Sequence, residues 1–179
     1  EGYDAREFRN CCINSLNDSN LKTKPWTAEM MMNYGRLPNG KYMINWPMWG
    51  NDYYLNDVDY TPAQRDSAEK KAKAKSLRFL YFMQNELGMH NLGLANEYPT
   101  ADGMPFFPYY REGRRFAGRV LFTLNDIISP YKQPNPRYRT AVLVGDYPVD
   151  QHHNELPVPD LTLPSIPSWG MPLGVFFPR

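Results

Sequence analysis

Proline sets the first limit on this chain. Seventeen of its 179 residues are proline, well above the usual share of about 5%. Each one fixes φ and removes a backbone donor, so most of these positions belong to turns, loops or strand edges. The chain is therefore expected to be rich in loops, with few long regular elements. A hydrophobic share of 42% against 22% charged residues still places it among folded globular chains rather than disordered ones, and its length suits a single domain, residues 1–179.

One segment escapes the proline rule. Thr61-Pro62-Ala63-Gln64 is a capping box with proline at the first helical position, and Gly88 offers a C-terminal stop. A helix over Pro62–Leu87 follows, about 39 Å long at 1.5 Å per residue. Its first half, RDSAEKKAKAK, is polar. Its second half, LRFLYFM, is apolar almost all round, which predicts a buried end. The Lys70–Lys75 run reads as the wet face of the helix, with phosphate binding as the alternative. A shorter helix is expected within Pro25–Tyr34, capped by Thr27, followed by a turn in GRLPNGK.

Strands are expected at Tyr3–Ile13, Ala117–Leu124, Ala141–Tyr147 and Leu173–Phe177, where β-branched and aromatic residues gather. Together these elements predict an α+β fold: a mainly antiparallel sheet, one long helix packed on it and extensive Pro-rich loops. Cys11 and Cys12 are adjacent. A disulfide between neighbours is strained and rare, so they read as two small buried or half-buried residues of the first strand, with a redox pair as the less favoured alternative.

Charge excludes some functions. Twenty Lys and Arg against 19 Asp and Glu leave no electrostatic footprint for nucleic acid or an anionic membrane. No apolar run reaches the roughly 20 residues of a membrane span, and no signal peptide is visible. The chain begins at Glu1 rather than Met, as a mature product or an excised piece would. A soluble protein of cytoplasm or periplasm is expected, with the choice open.

The common self-sufficient catalytic modules are missing from the sequence: no G-x-G-x-x-G, no P-loop, no C-x-x-C or H-E-x-x-H metal spacing, and no G-x-S-x-G elbow. Two clusters remain. Arg111-Glu112-Gly113-Arg114-Arg115 places three guanidinium groups at a strand end, where they suit a carboxylate, a phosphate or an anionic reduced cofactor; structural ion pairs are the alternative. Gly145-Asp146-Tyr147-Pro148-Val149-Asp150-Gln151-His152-His153 opens from a strand into a loop. Its imidazoles suit proton transfer near neutral pH, and Asp146 or Asp150 can orient them; turn-capping carboxylates are the alternative. No metal site is expected.

At these clusters the chain resembles the bacterial FAD-dependent oxidoreductases described as xanthan-lyase-related, which are akin to glutathione reductase-like flavoproteins. The resemblance rests on FRNCCINSLNDSN, RLPNGKYMIN, REGRR with the following FAGRVLFTLNDI, VGDYPVDQHH and IPSWGMPLGVFFP, in the family's order along almost the whole chain. It implies FAD as cofactor of a longer parent polypeptide. In such proteins a Gly-rich Rossmann segment precedes this region and another flavin-binding segment follows it. What remains here corresponds to the substrate or cap portion, and no FAD is expected on this chain alone. Under this reading His152, His153 and Asp150 are catalytic candidates, and Arg111, Arg114, Arg115 and Asp146 face substrate or flavin. The partners would be the flavin-binding segments of the same polypeptide and a small-molecule or carbohydrate substrate. A second reading is a carbohydrate-binding or carbohydrate-processing module. It would stack sugars on Trp46 and Trp49, in an aromatic segment with Trp26, Tyr53 and Tyr54.

Overall fold

A computed structural model describes residues 2–21, 24–44 and 49–110. Beyond these it describes positions 117–118, 120–121, 123, 126, 130–132, 134, 143–144 and 176–177. The chain divides into two compact units, Glu1–Tyr110 and Arg111–Arg179.

The first unit is helical. It opens with a 3-10 helix, Ala5–Phe8, whose N-cap Asp4 accepts a hydrogen bond from the Arg6 N–H. Helix α1 spans Ala28–Tyr34. Helix α2 spans Pro62–Asn85. Thr27 caps α1 by accepting from the Met30 N–H at 3.1 Å. At α2 both halves of the capping box form: Thr61 Oγ1 accepts from the Gln64 N–H and Gln64 Oε1 accepts from the Thr61 N–H. The helix ends where Gly88 turns to φ 70°, a conformation that costs glycine little.

Between the helices the chain makes a tight reversal. Arg36 and Tyr42 form an antiparallel bridge, closed by Leu37 N–H donating to Lys41 C=O at 2.8 Å. Asn39 and Gly40 take φ of 69° and 68°, which asparagine and glycine tolerate best. Gly35 is required for a different reason. A Cβ there would sit 2.4 Å from the Met43 carbonyl oxygen.

The core joins the N-terminal turn to the second half of α2. Phe8, Cys11, Cys12, Met31, Phe79, Phe82 and Met83 form one buried cluster. The Phe8 ring lies 5.2 Å from Phe79 and 5.6 Å from Phe82, centroid to centroid. Phe79, Phe82 and Met83 fall on one face of α2 at spacings of three and four residues. The opposite side of that end stays in contact with water: Leu77 and Tyr81 are exposed. Burial is therefore one-sided, with Tyr81 meeting Tyr3 edge-on at 4.7 Å.

The expected antiparallel sheet is overturned. Among the described residues, strand is confined to β1, Leu143–Val144, and β2, Phe176–Phe177, both in the second unit. They pair antiparallel with Leu143 opposite Phe177 and Val144 opposite Phe176. Among the described residues the α+β description therefore gives way to helices α1 and α2 and irregular segments around them. Tyr3–Ile13, expected as a strand, is a 3-10 helix followed by turns. The cause is local. Asn14 Nδ2 donates to the carbonyls of Arg9 and Cys12, and Asn17 Nδ2 donates to the same two carbonyls. These side-chain amides take the acceptors that a strand ladder would use. In Ala117–Leu124 the described positions carry no strand. Cys11 and Cys12 are buried as expected, but in a turn.

Candidate functional site

The candidates read from the sequence fall largely outside the described residues. Arg111, Arg114, Arg115, Asp146, Asp150, His152 and His153 lie there, and so does Trp46. Trp49 is described, in a turn, and is 45% exposed. Trp26 is half-buried, with its ring edge-on to Tyr34 at 5.3 Å, so it serves packing.

The described part of the molecule does present one open groove, of about 270 Å³, along the polar half of α2. Its walls are Tyr53, Leu55 and Tyr60 from the segment before the helix, and Gln64, Ser67, Ala68 and Lys71 from α2 itself. The helical members recur at intervals of three and four, which puts them on one face. Aromatic faces on one side and amide, hydroxyl and ammonium groups on the other make the groove amphipathic.

Next to it sits a small ionisable network that sequence reading did not single out. Asp57 is 9% exposed. The Arg65 guanidinium approaches its carboxylate at 3.9 Å and donates to its backbone carbonyl at 3.2 Å. The Asp57 carbonyl also accepts from the Tyr60 N–H at 3.0 Å, closing the turn into α2. Tyr110 donates to Glu69 at 3.4 Å. Burial pushes the Tyr110 phenol up to about 12, helped by the neighbouring Asp57 and Glu69 charges. The only advance signal was an acid, Asp57, four residues before the Thr61 cap. The partner Tyr110 is too distant in sequence to be inferred.

The lysine run is solvated, as expected of a wet helix face: Lys70 and Lys71 are exposed, and Lys73 pairs with Asp102 at 2.7 Å. Among the described residues no cluster of His, Cys, Asp and Glu has the makings of a metal site, and no helix is long and apolar enough to cross a membrane.

Residues 3–179 match the FAD dependent oxidoreductase family. The chain belongs to that family. Membership implies FAD as the cofactor of the enzyme and oxidation–reduction as its chemistry. The chain has no match among the curated proteins or the solved structures. Among the described residues, neither helix start follows the glycine turn of a dinucleotide pyrophosphate site. Such a site needs a glycine turn and free N–H groups at a helix start. At α2 the first helical residue is Pro62, and the Gln64 N–H is taken by Thr61. At α1 the Met30 N–H is likewise taken by Thr27.

Proposed function

We propose that this chain supplies the substrate-facing portion of an FAD-dependent oxidoreductase, and that the flavin-binding segments belong to other parts of the same polypeptide. The observation that carries this reading is the family match across residues 3–179 in a sequence with no G-x-G-x-x-G turn. On this reading the chain alone holds no FAD.

Arg111, Arg114 and Arg115 face the substrate or a negative charge nearby, where guanidinium groups bind bidentately. His152 or His153 takes a proton from the bound substrate, oriented by Asp146 or Asp150. The xanthan-lyase-related branch of bacterial enzymes is the subgroup that the REGRR and GDYPVDQHH stretches favour.

The test is substitution in the full-length enzyme. Arg114→Ala or Arg115→Ala lowers turnover about a hundredfold while folding and flavin content persist. His152→Asn and His153→Asn differ sharply from one another, because neighbours on extended chain point to opposite sides. Unchanged kinetics with a lowered melting temperature would make the arginines structural. Unchanged rates and pH profiles in both histidine variants would place the base elsewhere.

A further inference from the structure

Two thiols in the core stand in a relation that packing alone does not require. Cys11 and Cys12 are both free, 1% and 0% exposed, with their sulfurs 3.8 Å apart. They lie in the turn after the 3-10 helix, walled in by the cluster of Phe8, Met31, Phe79 and Phe82. The turn is stapled by the Asn14 and Asn17 amides, each donating to the Cys12 carbonyl at 2.8 Å.

The two thiols are not equivalent. Cys11 donates towards the Cys12 sulfur. That bond, with help from the Asn14 side chain, holds Cys12 below the ordinary thiol range. The same contact, then burial, pushes Cys11 up. At 3.8 Å one sulfur can act as nucleophile while its neighbour carries the proton.

We propose that Cys11 and Cys12 form an oxidation site at which a hydroperoxide joins the neighbouring thiols into a reversible disulfide. The Cys12 thiolate attacks the peroxide oxygen, the O–O bond breaks, and hydroxide leaves, giving a sulfenic acid. Cys11 then attacks that sulfur; its proton and the sulfenic hydroxyl leave as water. In all, two thiols and one hydrogen peroxide give one disulfide and two waters. The thiols lose two electrons and the peroxide gains them. Cys11 is the nearest nucleophile, 3.8 Å from the Cys12 sulfur, so the bridge forms before a second oxygen is added. Burial also means that the reaction waits on local opening of the turn. Neighbouring residues are closer, Cα to Cα, than the separation a relaxed bridge prefers. The bond is therefore strained and readily reduced.

Both cysteines lie on one tryptic peptide, Asn10–Lys22, which makes the test direct. The full chain is exposed to hydrogen peroxide while its circular dichroism is followed, then alkylated, digested and weighed. The expected peptide carries no alkyl group, is lighter by two hydrogens and reverts with dithiothreitol. In Cys11→Ala the remaining Cys12 gains oxygen instead. Four results would overturn the proposal: alkylation of both cysteines after peroxide, oxygen added with no bridge in the unsubstituted chain, linkage between two chains, or a bridge that appears only after the helical spectrum is lost.

Discussion

Arg78, in the second half of α2, grips Glu7 in the opening turn with two parallel hydrogen bonds, Nε to Oε2 at 2.8 Å and Nη2 to Oε1 at 2.9 Å. The two residues are 71 positions apart. Their side chains are only 17% and 29% exposed, so solvent screens the pair less than an ordinary surface bridge. It lies beside the Phe8–Phe79–Phe82 contacts and holds the same two elements together.

Breaking that grip should be measurable. Glu7→Gln is expected to cost about 1–2 kcal/mol in urea unfolding, above the usual range for exposed pairs. A double-mutant cycle with Arg78→Gln isolates the coupling. A coupling near zero would show that the aromatic cluster alone fixes the opening turn.

Gly35 gives a second prediction. The position tolerates no Cβ, because the obstruction is the Met43 backbone oxygen at 2.4 Å rather than a flexible side chain. That backbone is also tied to Gly35, whose carbonyl accepts from the Met43 N–H at 2.7 Å. Gly35→Ala is expected to destabilise by about 1–3 kcal/mol. Gly93→Ala, with open space around its Cβ, is the control and should change little. Equal midpoints for the two variants in denaturant would contradict this.

How much could be read in advance depended on the range of the interactions. α2 was legible because its determinants are local: Thr61, Pro62 and Gln64 act within one turn, and Gly88 acts at the other end. The burial of Cys11 and Cys12 followed from residue type. The N-terminal strand was misread because FRNCCI has strand-like composition, while Asn14 and Asn17 reach back to bind its carbonyls. A β pattern weighs the apolar residues and not those amides. The sheet was misread because it needed long-range pairing, and among the described residues the paired strands are Leu143–Val144 and Phe176–Phe177, with one isolated bridge at Arg36 and Tyr42. Of the candidate site, the arginine and histidine clusters were legible as chemistry but lie outside the described residues. The Asp57–Arg65–Tyr110 arrangement was illegible, because Tyr110 reaches it only through the fold.

Tyr110 gives a pH prediction. Its folded pKa is raised to about 12 from an ordinary 10.0. A raised pKa means the folded state favours the neutral phenol. Its contribution to stability is complete below pH 10 and is lost as pH climbs from 10 towards 12. The residue is 43% exposed, so the effect is modest. Ultraviolet titration should show two tyrosines ionising late, Tyr110 and Tyr3, whose phenol burial and Glu86 also push up to about 12, and Tyr110→Phe should halve that late phase and flatten part of the alkaline loss of stability. An unchanged titration curve in the variant would refute the assignment.

We propose above that this chain forms the substrate side of a flavoenzyme whose cofactor is bound by other segments of the polypeptide. Flavin titration tests it most directly. FAD is added to the 179-residue chain and, separately, to the full-length polypeptide, with fluorescence and visible absorbance recorded. Unaltered flavin fluorescence and a colourless protein are expected for the chain alone, and a stoichiometric yellow complex for the full-length polypeptide. A stoichiometric yellow complex with the chain alone would contradict it.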